Sequence, residues 1–180
     1  MIQNERTIRN ELVVQAARQM MVAARTAPKG KGIDIIEMAL VSGEDKNRLA
    51  AEMQRIGTAN DWMFFLRDAD NIIQADVVMI IGTKQQVQGL NCQHCGFRTC
   101  EAKPAGVPCA INSVDLGIAI GSACAKAADL RVDTRVMFSA GFTAQSLKML
   151  GEHCGCVMAI PVSATSKNPF FDRKPKEQPK

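Results

Sequence analysis

Four cysteines lie close together near the middle of the chain, and thiols at this spacing can hold a metal centre. Cys92, Cys95, Cys100 and Cys109 are separated by two, four and eight residues. Thiolates at such intervals ligate soft metals and iron–sulfur clusters when the loop that carries them curls back on itself. The same stretch contains residues that turn or stiffen a chain, namely Gly89, Gly96, Gly106, Pro104 and Pro108. We therefore expect an irregular ligand loop over 88–109.

Three occupants of this loop are compatible with the cysteine spacing. The first is a [4Fe–4S] cluster held by all four thiolates. The second is structural zinc, which usually takes two Cys-x-x-Cys pairs, whereas this stretch contains one. The third is a pair of disulfides. The N-terminus carries no secretory signal, and seven cysteines in such a chain indicate a reducing cytoplasm, where disulfides are rare. We favour the [4Fe–4S] cluster.

Three further cysteines lie outside this loop. Cys124 is in an apolar helical stretch and is predicted to be a small core residue. Cys154 and Cys156 flank Gly155 at the start of a predicted strand and are reserve ligands. His94 lies between two of the loop cysteines, where its side chain either faces solvent or donates a hydrogen bond to a cluster sulfur.

Composition and charge describe a soluble protein with one domain over 1–180. The chain has 180 residues, of which 47% are hydrophobic and 22% charged. The net charge of +4 is small, and the chain has one Trp and no Tyr, so basic and aromatic residues do not combine into a nucleic-acid surface. No apolar run approaches the roughly 18 residues of a membrane span. We predict a cytoplasmic protein that binds neither nucleic acid nor membrane.

Hydrophobic periodicity predicts an α+β domain in which the cysteine loop is inserted between a strand and a helix. The predicted helices cover 4–26, 43–56, 61–73, 110–130 and 139–150, the predicted strands cover 33–41, 76–82 and 156–162, and an irregular tail covers 167–180. Ser42 and Asp45 suggest a capping box for the second helix, and Gly57 suggests its C-cap.

The 110–130 helix carries small residues along one side. Gly117, Gly121, Ala125 and Ala128 recur at helical spacing, which lets another backbone approach closely. We predict a homodimer with this helix near the interface.

The cysteine loop resembles the signature of an uncharacterised family of ferredoxin-domain proteins from anaerobic bacteria and archaea. The resemblance rests on Gly89-Leu-Asn-Cys-x-x-Cys-Gly-Phe-x-Thr-Cys100. It extends to blocks at 23–32, 115–122, 133–137 and 166–173 and so spans most of the chain. The resemblance implies an iron–sulfur protein and leaves its activity undefined.

The order of elements is also similar to that of flavin-dependent nitroreductases. The resemblance implies a three-layer fold, with a central mixed sheet flanked by helices, a homodimer and flavin mononucleotide as a cofactor. It assigns the flavin phosphate to basic residues near the two ends of the chain, namely Arg6, Arg9, Lys29, Lys167 and Arg173. Lys29 stands where nitroreductases have Ser after the Ala-Pro turn, and Arg9 is closer to Pro28 than in that family.

These observations predict an iron–sulfur redox protein. One [4Fe–4S] cluster would accept and pass single electrons, and a bound flavin would make the protein a small flavin-linked oxidoreductase. The alternative is a non-enzymatic structural or regulatory module, in which a cluster or zinc fastens the loop to a dimer or a partner. The sequence contains no Ser-His-Asp set or paired acidic residues that would indicate hydrolytic chemistry, and it does not define the redox partner.

Overall fold

The computed structural model describes residues 1–172, in which helices cover both faces of a four-stranded sheet. A short 3₁₀ turn over 30–32 follows the first helix. In chain order the elements are α1 (Glu5–Thr26), β1 (Ile36–Val41), α2 (Gly43–Asn60), α3 (Met63–Gln74), β2 (Val77–Lys84), α4 (Ala110–Asp129), β3 (Asp133–Thr134), α5 (Phe138–Ser146) and β4 (Cys154–Ser163).

The sheet has the strand order β1-β2-β4-β3, and each neighbouring pair within residues 1–172 is antiparallel. The expected α+β fold is confirmed, but the expectation of a mixed sheet is wrong. Two helices connect β1 to β2, and they return the chain to the end of the sheet at which β1 finishes, so that Val41 pairs with Val78. Because the chain returns to that same end, β2 must run back antiparallel to β1.

Two hydrophobic cores lie on opposite faces of the sheet and give the three layers. One packs the sheet against α2, α3 and α5, and the other packs it against α1 and α4. Alternate residues of β2 enter different cores: Val78 and Ile80 face the first, and Met79 and Ile81 face the second. This two-sided burial explains why β2 is a continuous apolar run in the sequence.

The turn after α1 is tied to α4, which places it near the cysteine loop. The Gly30 N–H donates to both carboxylate oxygens of buried Asp115, each at 3.0 Å. A Cβ on Gly30 would lie 2.8 Å from Ile111 Cγ2, so the close approach requires glycine. Lys31 Nζ then reaches the main-chain carbonyl of Gln88, 3.1 Å away.

The segment after β4 is anchored by a buried polar network. Asp68 is 4% exposed and accepts a hydrogen bond from Ser139 Oγ. Arg135 lies 3.7 Å from the same carboxylate and donates to the carbonyl of Phe170 at 3.1 Å. Its guanidinium also lies 5.4 Å from the ring centroid of Phe171. Because Phe170 is itself buried, this segment is held against α3 and α5.

Two predicted helix signals are wrong. Ser42 precedes α2 but makes no side-chain capping bond. Gly57 lies inside α2, which continues to Asn60 and ends at Asp61 in the left-handed conformation (φ 56°). A Cβ on Gly57 would meet Leu66 Cδ2 at 2.9 Å, so this glycine permits close packing of α2 on α3 and does not end the helix.

Candidate functional site

The cysteine loop leaves the end of β2 and enters α4 without any helix or strand between residues 85 and 109. Its start is fixed to the body, because the Gln85 N–H donates to the His153 carbonyl at 2.8 Å. Inside the loop, Asn91 Oδ1 accepts the Cys100 N–H at 2.8 Å, and the Asn91 N–H lies 3.4 Å from Cys100 Sγ. This reciprocal pair folds the first half of the loop back on itself.

The four loop cysteines are free thiols and are all half-buried. Four thiols on one loop are the donor set that an iron–sulfur cluster requires, so their chemistry fits that group. Within residues 1–172, however, no three Cys, His, Asp or Glu side chains converge on a common point where a metal ion would sit. The four thiols therefore lie on one segment, and this segment would have to change conformation to bring them around a cluster.

Cys109 is the loop cysteine most firmly fixed to the body, since it is the N-cap of α4. Burial raises the pKa of its thiol, but the net shift is downward. The opposing causes are hydrogen bonds from the backbone N–H groups of Gln88, Asn112 and Ile111, and the positive charge of Lys103. This environment stabilises the thiolate, the form that binds metals.

The remaining cysteines have different environments. Cys154 is buried, and burial, followed by the charges of Glu37 and Cys156, raises its thiol pKa to about 11. Cys156 is half-buried and has a left-handed backbone (φ 49°), which is unusual for a residue in a strand. Cys124 lies half-buried on α4, where burial raises its pKa. The reserve-ligand role of Cys154 and Cys156 stays a prediction.

His94 is exposed and lies beside the main chain of the loop. Its Nδ1 is 3.0 Å from the Cys92 carbonyl, which occupies that ring nitrogen. A hydrogen bond from His94 to a cluster sulfur would therefore have to come from Nε2.

A cavity of about 470 Å³ lies beside Cys109. It is bounded by the end of β2, the start of β4, the first turn of α4 and the returning arm of the loop. The lining residues are Thr83, Lys84, Gln85, Gln86, Val87, Lys103, Ala105, Gly106, Val107, Pro108, Cys109, Asn112, Gln145, Gly155 and Cys156. A volume of this size is typical of a small-molecule site.

Two buried amides near Cys109 have unsatisfied polar atoms. Asn112 is 3% exposed, and its Nδ2 donates to the Gln86 carbonyl while its Oδ1 has no partner in the described structure. Gln88 is 4% exposed, and neither Nε2 nor Oε1 has a partner there. Buried polar atoms normally find hydrogen bonds, and the protein itself supplies none to these three atoms in the described structure.

A basic pocket lies at the other end of α4. It is lined by Arg6 and Arg9 of α1, by Arg131, and by residues 164–166 after β4. Glu5 also lines it and pairs with Arg9 at 2.6 Å, and this hydrogen bond lowers the pKa of Glu5. Three guanidinium groups around one concavity can bind a phosphate.

Of the other predicted phosphate ligands, the structure separates Lys29 from the basic pocket. Lys29 lies beyond the opposite end of α1, about 30 Å from Arg6 by helix length. Its amine is buried and donates to the carbonyls of Ala24 and Ala27, so it caps the helix. Lys167 follows the basic pocket in sequence and pairs with Asp172 at 2.8 Å. Arg173 lies outside the described residues.

Comparison with known proteins identifies the family. A protein from Archaeoglobus fulgidus, described as an uncharacterized protein, is 42% identical over 187 residues, covering 98% of this chain and 100% of the relative. Residues 105–173 match the family model described as "Uncharacterized protein containing a ferredoxin domain (DUF2148)". The chain belongs to this family. The matched range contains Cys109 and begins after Cys92, Cys95 and Cys100.

Solved structures confirm that this chain has a nitroreductase-like fold. An FMN-dependent nitroreductase from Clostridium difficile superposes with a TM-score of 0.56 at 13% identity, covering 85% of this chain and 76% of that one. A BluB-like flavoprotein from Clostridium difficile superposes with a TM-score of 0.55 at 17% identity, covering 92% of this chain and 85% of that one. At these identities the similarity establishes the fold alone.

Three residues of these sites were missed by sequence reasoning. Arg131 joins the basic pocket only because α4 ends beside α1, which no local pattern indicates. Asn112 could have been found from the sequence, because it and Asp115 are polar residues on the buried side of an otherwise apolar helix. Gln88 could not have been found from the sequence, because glutamine in an irregular loop is ordinarily exposed.

Proposed function

We propose that this protein is an iron–sulfur redox protein in which Cys92, Cys95, Cys100 and Cys109 ligate one [4Fe–4S] cluster. The observation that carries the proposal is the set of four free, half-buried thiols on one irregular segment that ends at a helix N-cap. The ferredoxin domain named in the family description supports it. A bound cluster of this kind exchanges single electrons. Free thiols also agree with a cytoplasmic location.

The residues around the loop have definite roles in this proposal. The Asn91–Cys100 pair holds the first half of the loop in a turn. Backbone N–H groups at the start of α4 stabilise negative charge on Cys109. Lys31, bonded to the Gln88 carbonyl, keeps the loop's first residues against the body. The remaining three thiols can then move toward Cys109, which is the fixed ligand.

We further propose that the basic pocket receives the phosphate of flavin mononucleotide. Arg6, Arg9 and Arg131 supply guanidinium groups, and Lys167 follows directly after the pocket. The FMN-dependent nitroreductase of similar fold supports this assignment. Phosphate is bound well by several converging guanidinium groups, and the pocket has the residues for it.

The distance between the two sites favours a homodimer. The cysteine loop enters α4 at its N-terminus, and the basic pocket includes Arg131, just beyond its C-terminus. Twenty residues of helix separate them by about 30 Å. A two-fold axis perpendicular to α4 would run two copies of the helix antiparallel and place the loop of one subunit near the basic pocket of the other.

The exposed side of α4 is suited to such pairing. Val114 and Ile118 are 52% and 42% exposed, and a Cβ on Gly117 or Gly121 would meet no atom within 4 Å. The opposite side of α4 is buried against α1 and the sheet. A helix that is apolar on both sides is normally covered on both sides.

The visible spectrum of anaerobically purified protein tests the proposed cofactors. A cluster predicts broad absorption near roughly 400 nm, which dithionite bleaches. Bound flavin adds structured bands, and its release by heat or acid gives a fluorescent supernatant. A colourless protein containing one zinc ion per chain would contradict the redox proposal and support the structural module in its place.

A further inference from the structure

We propose that an exposed aromatic patch at the start of α3 and on α5 binds a second copy of this chain, patch against patch. The aromatic patch consists of Trp62, Phe64, Phe138 and Phe142, which are 38–56% exposed. The ring centroid of Trp62 lies 6.0 Å from that of Phe64 and 6.5 Å from that of Phe142. Those of Phe138 and Phe142 are 5.8 Å apart. The proposal goes beyond the redox function, because no cofactor takes part in the contact.

The exposed rings form one surface because three of them pack around a buried residue, Phe65. Its ring centroid lies 5.2 Å from that of Trp62, 4.9 Å from that of Phe64 and 6.1 Å from that of Phe142. The inner faces of these rings cover Phe65, while part of each ring remains in contact with water. Single exposed apolar side chains are ordinary on a protein surface, but contiguous ones mark a surface that another molecule contacts.

The size of the aromatic patch fits a contact between two copies at the lower end of specific interfaces. If a fully exposed aromatic residue presents roughly 200 Å², the exposed fractions of the four residues leave about 350 Å² of apolar surface in water. About 60% of an interface is apolar, so a contact centred on the patch buries about 600 Å² per subunit. Two copies then bury about 1,200 Å² in total, which is enough for a specific contact but small for a permanent one.

The charges beside the aromatic patch favour a neutral partner surface. Two arginines lie within four residues of it in sequence, Arg67 and Arg135, and they are 2.8 Å and 3.7 Å from the carboxylate of buried Asp68. Asp61, which precedes Trp62, adds one exposed negative charge. Anionic membranes and acidic proteins are attracted by free cations, which this surface does not offer among its sequence neighbours. A second aromatic patch matches it, because offset rings attract each other.

The aromatic patch lies across the sheet from the α4 surface that we propose for the homodimer. α3 and α5 pack in one hydrophobic core and α4 packs in the other. Both contacts can therefore form at once, so that the patch joins two dimers. Residues 173–180 do not compete for the patch, because they contain four basic side chains and no aliphatic or aromatic side chain to bury.

Sedimentation equilibrium of the wild-type protein from about 2 to about 500 μM tests the proposal, since a contact of this size is expected to be weak. The mass should double across this range, whether the state at low concentration is the α4 dimer or a single chain. A mass that stays constant over the whole range would overturn the proposal.

Trp62 reports on the patch directly, because it is the chain's one tryptophan. Acrylamide quenching of its fluorescence should fall at least about twofold over the same range of concentration, because pairing covers the exposed part of this side chain. Doubling of the mass with unchanged quenching would place the contact elsewhere on the surface and overturn the proposal.

Phe138→Glu is expected to abolish the doubling, because it places a carboxylate in the paired surface. Phe138 is the first residue of α5, where the helix dipole favours a negative charge, so the variant should fold. Ile73→Glu is the matched control, since Ile73 is 50% exposed and lies at the far end of α3, and it should keep the doubling. Doubling in a folded Phe138→Glu protein, or its loss in both variants, would overturn the proposal. If Phe138→Glu does not fold, the quenching of Trp62 in the wild-type protein decides the question.

Neutral phosphatidylcholine vesicles test a different occupant of the aromatic patch. A constant protein mass, together with a shift of the Trp62 emission on adding vesicles, would assign the patch to a lipid surface and overturn the proposal. A constant mass without vesicle binding would leave the patch to a different protein and would also overturn it. Iron analysis of the same samples keeps the two proposals apart, because a protein that doubles its mass but contains no iron refutes the cluster alone.

Discussion

The buried polar residues of this protein differ in whether the protein supplies hydrogen-bond partners for their side chains. Asp115 and Asp68 are buried carboxylates, and each is satisfied by donors from another segment: Gly30 for the first and Ser139 for the second. Both carboxylates therefore join separate segments of the chain. Asn112 and Gln88 are equally buried but have unsatisfied atoms in the described structure, and both lie next to Cys109. The contrast shows that the protein supplies partners to the two buried carboxylates but not to every polar atom of these two amides.

Residue environment also distinguishes the cysteines, and Cys154 gives a direct prediction. Its thiol pKa is raised to about 11, mainly by burial, so at pH 8 only about one molecule in a thousand carries the thiolate. We expect iodoacetamide at pH 8 to leave Cys154 unmodified under conditions that fully alkylate free glutathione. The alkylation rate should rise about tenfold per pH unit from pH 8 to pH 10, because the thiolate fraction grows by that factor while the pH stays below the raised pKa.

Peptide mass spectrometry after timed alkylation measures this protection. Denatured protein is the control, in which every cysteine should react. Alkylation of Cys154 in the native protein at the rate of free glutathione would show that its thiolate is accessible. Cys154 would then have to be reconsidered as a ligand.

Among the helices and strands, those with strong hydrophobic patterns were predictable, and those with weak patterns or short lengths were not. The long helix at the N-terminus and the central strand β2 were predicted to within two residues of their bounds. The two-residue strand β3 has no periodicity to detect and was missed. Gly57 suggested a helix end because glycine favours C-caps, yet α3 packs so closely there that only glycine fits.

The candidate site was predictable only where it is local in sequence. Spacing and turn residues predicted an irregular loop over 88–109, and the structure has no helix or strand from 85 to 109. Arg6 and Arg9 were placed in a phosphate pocket by resemblance, and the structure puts both at one concavity with Arg131. Lys29 could not be assigned from sequence, because its role depends on the carbonyls left unpaired at the end of α1.

The packing of α5 on β4 depends on Gly141, and this contact predicts a large loss of stability on substitution. A Cβ at Gly141 would lie 2.2 Å from the Val157 carbonyl oxygen and 2.5 Å from Met158 Cα, both of which are backbone atoms. We expect Gly141→Ala to lower the free energy of unfolding by about 2–3 kcal/mol, because one of the two elements must shift.

Chemical denaturation measures the free energy of unfolding of Gly141→Ala and of a control variant, Gly106→Ala. A Cβ at Gly106 meets no atom within 4 Å and its backbone is not left-handed, so the stability of Gly106→Ala should change by less than about 0.5 kcal/mol. Equal stability of the two variants would mean that α5 does not approach β4 as closely as described.

At the scale of the whole molecule, the proposed cofactor sites lie at opposite ends of α4, and no helix in the described residues has the length and apolarity to cross a membrane. The exposed apolar stripe on α4 predicts a homodimer. Light scattering at micromolar concentration should give about twice the chain mass of 19.5 kDa. Ile118→Glu should shift the protein toward monomer, because it places a charge in the centre of the paired surface.

Ile73→Glu is the matched control for this prediction. Ile73 is 50% exposed, but it lies on α3, in the layer on the other side of the sheet. The Ile73→Glu substitution should leave the dimer intact. A monomeric wild-type protein, or dissociation by both substitutions, would argue against an α4 interface.

The iron and acid-labile sulfide content of Cys109→Ala tests whether the loop cysteines hold an iron–sulfur cluster. Wild-type protein purified without oxygen should contain roughly four iron and four sulfide ions per chain, as one [4Fe–4S] cluster requires. Cys109→Ala should lose most of both, because a thiolate ligand is not replaced by solvent at comparable affinity. Cys124→Ala, a half-buried cysteine on α4 outside the loop, should keep the full content. Full iron and sulfide in Cys109→Ala, or their absence from the wild-type protein, would contradict the account.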